Sequence, residues 1–343
     1  MSSTLVGGTH CPACEDLEGT AETKMSEPRL PQESRSPDSA VQITEPTTAE
    51  LRPALELLLD GPEIDELTEQ VDEFLAAAER GDVSLAGLHV ARVQNAIVGV
   101  VLAVCQPGGV AHFWPPRVVP AVPLETAREL AVACCRWVAA SGAKMAQCLT
   151  QLEDQATQQL LEQAGFERLA DLACWQHTLE EIPHAVLPEG CEAIAYAPEN
   201  SVDFERVMEA TYIGSQDCAA LRGRRSARDS LAGHEMVADA ASRYWLLYRC
   251  GSEDVGVVLC ADHRDQQMWE LLYLGVVPQF RWQGFGFSLL CAALWNAREA
   301  GAEGLFLAAD DANEAAAKLY AACGFSVGFR QRIQVWFPPA DTR

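Results

Sequence analysis

The chain has 343 residues, of which 49% are hydrophobic and 22% charged, with a formal net charge of −24 and a pI near 4.6. At roughly 100–200 residues per domain, this length sets two domains. So acidic a balance excludes a nucleic-acid binder, which needs a basic face to meet phosphate, and favours cationic partners such as amines.

In chain order, residues 1–39 are rich in Ser, Thr, Glu, Pro and Gly without apolar periodicity and read as a disordered acidic tail. Within it His10, Cys11 and Cys14 form half of a zinc site at most. The second ligand pair is missing, so no metal is expected. Residues 40–180 read as one domain, 181–190 as a linker set by the prolines and glycine of EEIPHAVLPEG (Glu180–Gly190), and 191–343 as a second domain. The thirteen cysteines are odd in number and lack the spacing of a small disulfide scaffold. With no apolar signal region and no 18-residue apolar run, they read as reduced thiols of a cytoplasmic protein outside the membrane. The adjacent Cys134 and Cys135 sit in an apolar helical pattern as core residues.

The two domains repeat one another. VGVVL occurs at 98 and again at 255, an offset of 157 residues. ASGA at 140 answers EAGA at 299, and the glycine of LLEQAGF at 165 answers that of LYAACGF at 324, both at 159. Three matches in order imply a duplication with a two-residue slip. In the second copy CEAIAYA alternates as a strand, ENSVDFERVMEATY has helical spacing with Asn200 or Ser201 as N-cap, and a second helix lies within 226–241. RYWLLYR, VGVVLCA and MWELLYLGVV follow as three strands joined by hairpin-like turns. A helix over 284–300, a strand over 305–309, a helix over 313–323 and two final strands near 325–337 complete the copy. The order predicts an α/β (α+β) fold in which each domain is a mixed, mostly antiparallel sheet flanked by helices.

The stretch VVPQFRWQGFGFSLL (Val276–Leu290) runs from a strand through two glycines into a helix, without a P-loop lysine. The start of a helix carries unpaired N–H groups and partial positive charge, which together bind phosphate. Gly284 and Gly286 permit close backbone approach, and Arg281 adds a cation, so the turn suits a diphosphate. Strand alternation places Glu270, Leu272, Leu274 and Val276 on one face and Tyr273 on the other. Glu270 then points along the cleft and is the leading candidate for general base, ahead of His263 and His234.

LGVVPQFRWQGFG resembles the acetyl-CoA signature of the GNAT acyltransferase superfamily, with Arg281, Gly284 and Gly286 at its defining positions. NEAAAKLYAACGF resembles the family's second motif at Asn313, Ala316, Leu319, Tyr320, Gly324 and Phe325. The resemblance implies acetyl-CoA as co-substrate, held by Leu274, Val276, Arg281, Gln283, Gly284, Phe285, Gly286 and Asn313. A backbone N–H near Val276 would polarise the thioester, and Tyr320 would protonate the departing thiolate. Their plainer readings are an N-cap for Asn313 and a packed aromatic for Tyr320. The segment after the first helix shapes the acceptor pocket in that family. Here it offers Tyr212, Ser215 and Asp217, with Asp217 suited to a cationic amine. The implied reaction is acyl transfer from CoA to a primary amine, on a small molecule or a peptide, by direct attack in a ternary complex. The alternatives are a non-catalytic acyl-CoA sensor or scaffold, and a thiol-bound metal protein. At the 159 offset Val122, Glu125 and Ala127 replace Arg281, Gly284 and Gly286, Leu161 replaces Tyr320, and Asp154 replaces Asn313. A glutamate facing diphosphate is repulsive. The first copy therefore reads as a degenerate GNAT-like domain that keeps the fold and walls or stabilises the second, an arrangement similar to tandem GNAT proteins.

Overall fold

The computed structural model describes residues 41–59, 64–218, 221, 223–238 and 243–339. The tail over 1–39, with His10, Cys11 and Cys14, lies outside the described residues. The chain falls into two compact units: described residues 41–102 with 115–134, and 103–114 with 135–339.

The first unit holds β1 (Gln42–Thr44), α1 (Leu51–Leu59), α2 (Ile64–Arg80), β2 (Leu88–Val93) and most of β3 (Ala96–Gln106). β1, β2 and β3 pair antiparallel in that order. Helix α1 buries Ala54, Leu55 and Leu58, a spacing that puts all three on one stripe. Arg92 reaches from β2 to Glu50 at 2.6 Å. The pairing with Arg92 holds the Glu50 carboxyl down at about 2.

Strand β4 (Val110–Val118) and helix α3 (Leu124–Ala140) each contribute residues to both units. The second unit continues with β5 (Met145–Gln151), α4 (Gln155–Gln163), β6 (Glu167–His177), β7 (Cys191–Ala195), α5 (Ser201–Tyr212) and α6 (Ala227–Val237). It ends with β8 (Arg243–Cys250), β9 (Glu253–His263), β10 (Met268–Val276), α7 (Phe285–Glu299), β11 (Gly304–Asp310), α8 (Glu314–Ala322) and β12 (Ser326–Trp336). Its strands lie in the order β4-β5-β12-β6-β11-β10-β9-β8-β7. Only the pairs β4/β5 and β10/β11 are parallel, so the sheet is mixed and mostly antiparallel.

The duplication is visible element by element: β5, α4 and β6 begin at 145, 155 and 167, and β11, α8 and β12 at 304, 314 and 326. The last strand of each copy pairs with the other copy's strand, β12 with β5 and β6 with β11. This exchange is why the compact units cut across the repeat boundary near 181–190. The segment after β6 is not an open linker, since Leu179, Ile182, Ala185 and Leu187 pack onto the core around α7. The two strands expected near 325–337 are the single strand β12, bent by irregularities near Val327 and Ile333.

The sheet separates two apolar layers. One joins α7 and α8 to Trp269, Leu271, Leu305 and Leu307. The other joins Phe204, Val207 and Met208 of α5, and Ala227 and Leu231 of α6, to Trp245, Leu247, Val257 and Leu272. One cysteine expectation fails. Cys191 and Cys250 stand directly opposite in the β7/β8 register and are joined as a disulfide, while the other nine described cysteines carry thiols. Directly paired residues bring their Cβ atoms within disulfide reach, a juxtaposition that sequence spacing does not disclose.

Candidate active site

The site begins where two strands part. β10 and β11 run parallel through Met268↔Gly304, Trp269↔Leu305 and Glu270↔Phe306, and then pairing stops while both strands continue. Beyond that point β10 stays with β9 and β11 with β6. The opening is a cavity of about 700 Å³, lined from both faces of the sheet.

A β-bulge fixes what faces the opening. Leu271 pairs with Cys260 and Tyr273 with Leu259, which leaves Leu272 as the extra residue. A bulge shifts the alternation by one. Trp269, Leu271, Leu274 and Val276 therefore pack toward α7, and Leu272, Tyr273 and Val277 toward α5 and α6. The expected single face of Glu270, Leu272, Leu274 and Val276 is broken at this position. Tyr273, expected to face away, lines the cavity.

Glu270 is not brought to the cavity. Its buried carboxylate lies 3.0 Å from His263 Nε2, and the His263 ring stacks on Phe306 with centroids 5.8 Å apart. The carboxylate is thus engaged by a half-buried histidine, on the strand before the bulge.

Helix α7 opens at Gly284, whose φ of +87° is the left-handed region that glycine adopts without strain. Nothing lies within 4 Å of where a Cβ would stand, so the space in front of the α7 N–H groups is open. Gly284, Gly286, Leu274, Val276, Asn313 and Tyr320 all line the cavity. This is the environment a diphosphate requires: unpaired backbone donors, no opposing side chain, and apolar walls beyond. Phe285 turns into the core against Phe280, with ring centroids 5.2 Å apart, and offers only its backbone. Gln283 donates to the Gln279 carbonyl at 2.7 Å, outside the cavity wall. Asn313 caps α8, its side chain accepting from Ala316 N at 3.1 Å. Tyr320 is buried against Trp175 and Phe325, and burial pushes its phenol well above the usual range.

Arg281, the expected phosphate cation, lines the cavity with its guanidinium held on backbone carbonyls. Its Nε donates to the Val276 carbonyl at 2.9 Å, Nη1 to Ile213 at 2.7 Å and Nη2 to Thr211 at 2.7 Å. All three nitrogens clamp the C-terminal end of β10 to the end of α5. No signal in a single sequence reveals such a clamp, because two of its three acceptors are backbone carbonyls about 70 residues away.

The other end of the cavity is built by α5, α6 and the segment between them. Tyr212, Ser215 and Asp217 line it, together with Glu209, Arg225, Ser230, His234 and Tyr273, which sequence reasoning did not single out there. Thr211 Oγ1 donates to the Met208 carbonyl at 2.6 Å and so accepts from Tyr273 Oη at 2.5 Å. Burial raises the Tyr212 and Tyr273 phenols and drives His234 well below the ordinary imidazole value, leaving that ring neutral. Asp217 Oδ1 accepts from Asp310 N at 3.3 Å, and the Asp310 carboxyl is raised by burial and then by the Asp217 charge.

First-copy residues stand behind this wall. Lys144 Nζ pairs with Asp229 of α6 at 2.7 Å, and Arg224 pairs with Glu167 of β6 at 3.1 Å. A Cβ on Gly108 would meet the Asp229 carbonyl at 2.2 Å, so only glycine allows that turn to seat on α6. Among the described residues no group of three His, Cys, Asp or Glu is placed to hold a metal, and no helix is long and apolar enough to cross a membrane.

Residues 213–325 match the sequence profile of the acetyltransferase (GNAT) family. The segment containing the open turn, the bulged strand and Tyr320 is thus a GNAT acetyltransferase domain. The fold extends beyond it. A GCN5-related N-acetyltransferase from Sphaerobacter thermophilus aligns at 18% identity and a TM-score of 0.56, covering 87% of this chain and 95% of that one. A tandem GNAT protein from the clavulanic acid biosynthesis pathway aligns at 14% identity and a TM-score of 0.52, over 88% of this chain and all of the other. A GCN5-related glucosamine N-acetyltransferase region of a fungal multi-domain β-N-acetylglucosaminidase aligns at 11% and 0.58, over 87% of this chain and 38% of that one. No curated protein sequence matches the chain. The family match is confined to that segment, and over most of its length the chain shares its fold with a tandem GNAT protein.

Proposed function

We propose that the protein is an acetyl-CoA-dependent N-acetyltransferase whose single working site lies in the second copy and serves a primary amine. The observation that carries this reading is the continuous cavity through the β10/β11 splay. Open helix-start donors lie at one end and a polar wall from α5 and α6 at the other. A thioester entering from the α7 face and an amine entering from the α5/α6 face meet between the strands, which makes the attack effectively unimolecular.

In this reading the diphosphate of acetyl-CoA lies on the α7 N–H groups at Gly284–Gly286, and the acyl arm passes Leu274 and Val276. The amine nitrogen attacks the thioester carbonyl carbon, a C–N bond forms, and the C–S bond breaks. The thiolate takes the Tyr320 hydroxyl proton, and the tyrosine recovers one from the solvent. The attacking nitrogen must give up a proton. Of the two carboxylates lining the cavity, Glu209 already accepts from Ala227 N at 3.1 Å. Asp217 is exposed and lies close enough for its charge to act on Tyr320, so we assign it the proton in place of Glu270. The first copy supplies no second site; its part is to hold α6 from behind.

The test is thiol release from acetyl-CoA across an amine panel. Turnover with Tyr320→Phe lowered about 100-fold in kcat at unchanged acetyl-CoA affinity supports the reading. Tight acetyl-CoA binding without release on any amine would favour the sensor or scaffold instead.

A further inference from the structure

The α5/α6 end of the cavity contains a cation with no counter-ion. Arg225 lines it, and its Nε is enclosed without a hydrogen-bond partner. Nη2 makes a contact of 3.5 Å with the Asp229 carbonyl, at the limit of a hydrogen bond. The Asp229 carboxylate is already held by Lys144 at 2.7 and 2.8 Å and by Ser226 at 2.7 Å. Among the described residues no carboxylate forms an ion pair with Arg225, in a chain with 49 acidic residues against 25 basic ones. An enclosed guanidinium with an unmet donor and no ion pair is costly unless something supplies the missing acceptor. Its neighbours are also arranged around it. A Cβ on Gly233 would lie 2.7 Å from Nη2, so a glycine leaves it room, and Tyr212 and Ser230 line the same end of the cavity.

We propose that Arg225 receives an anionic group of the acceptor, and that this group is a carboxylate, so the acceptor class is an amino acid or a similar small aminocarboxylate. The inference rests on the acetyl-transfer reading for its chemistry, though not for binding. A carboxylate matches the planar fork of one guanidinium and carries a single charge. A phosphate is less well served. The start of α6 is closed by its own carboxylates, Asp229 on Ser226 N at 3.3 Å and Glu209 on Ala227 N at 3.1 Å. Glu209 and Asp217, the carboxylates that line the cavity, suit the ammonium end of an aminocarboxylate and repel a dianion.

The experiment compares proteinogenic amino acids with their C-terminal amides, and glucosamine 6-phosphate with glucosamine, by thiol release from acetyl-CoA. Saturation-transfer NMR of the same compounds runs in parallel on CoA-loaded protein. At least one acid is expected to exceed its amide by about 100-fold in kcat/KM. Arg225→Gln should erase that difference through KM, leave acetyl-CoA affinity unchanged, and abolish the acid's NMR signal, while Arg225→Lys restores part of it. Amides served as well as acids, an Arg225→Gln loss shared equally by acids and amides, or a preference for glucosamine 6-phosphate alone would overturn the proposal. Should no amine release thiol, Arg225-dependent NMR binding of an acid upholds the anion site while the transfer reading fails. Absence of that binding overturns the anion site as well.

Discussion

The two copies solve the same structural problem with different residues just before their parallel strands part. In the second copy the position is held by His263, Glu270 and Phe306, with His263 on Glu270 at 3.0 Å and stacked on Phe306. In the first it is held by Gln106, His112 and Gln147, with His112 Nε2 2.7 Å from Gln106 Oε1 and Nδ1 3.3 Å from Gln147 Nε2. Glu270 and His112 occupy the third parallel pair of their strands, opposite Phe306 and Gln147. What recurs in a copy without the acetyl-CoA motifs serves the sheet. Glu270 thus shares its register position with a histidine of the first copy. What differs is the helix start. Helix α7 opens on Gly284 and empty space, whereas α3 has Glu125 in its first turn, paired with Arg128 Nε at 3.0 Å. The counterpart of Tyr320 is the fully buried Leu161, and that of Asn313 is Asp154, which caps α4 through Thr157 N. At these positions the first copy keeps capping and packing residues and lacks the open glycine start of α7.

The contrast is broken most directly by exchanging helix starts. Gly284→Glu puts a carboxylate against the diphosphate, at about 4 kcal/mol for unit charges 4 Å apart near a surface, roughly 1000-fold in affinity. Glu125→Gly should leave acetyl-CoA binding unchanged. Titration calorimetry checks both, and a second binding event in Glu125→Gly would mean that the first copy is a masked site.

The next effect separates the two pillars by pH. Burial, and then the Arg225 charge, push His112 down to about 4 from an ordinary 6.5. Below pH 6.5 the unfolded chain binds a proton that the folded imidazole refuses until about pH 4. Stability is therefore present above 6.5 and lost as pH falls through that window, by roughly 3 kcal/mol. Thermal unfolding followed from pH 7 to 4 should show this loss in the parent and much less of it in His112→Gln.

Arg281→Gln releases the carbonyls of Thr211, Ile213 and Val276. It should raise KM for the amine about tenfold with little change in acetyl-CoA affinity. The reverse split would restore Arg281 to the phosphate. The smallest effect is Glu270→Gln, which keeps a polar partner for His263 and should hold kcat within about twofold, since catalytic bases contribute roughly 100-fold or more. A kcat drop of that larger size would return Glu270 to the mechanism.

Much of this was legible in the sequence. The nearly constant offset exposed the duplication, because paired secondary elements keep their lengths, and the glycine turn and Tyr320 motif sit in contiguous stretches whose local geometry is self-contained. Side-chain direction was not legible past Leu272, because one inserted residue inverts the period-two pattern without a compositional mark. The Arg281 clamp, the Arg225 cation and the Cys191–Cys250 bond all join residues distant in sequence through backbone carbonyls, cavity walls or strand register. The offset did hold one unused signal. Carried over at 158, it places Glu270 on a histidine of the copy that lacks the acetyl-CoA motifs, which marks it as scaffold.

The central claim is tested most directly by a crystal structure of the protein with CoA. The diphosphate is expected within hydrogen-bond reach of the backbone N–H groups at Gly284–Gly286, with the pantetheine arm running past Val276 toward Tyr320. A nucleotide bound instead at the start of α3 beside Glu125, or away from both helix starts, would contradict it.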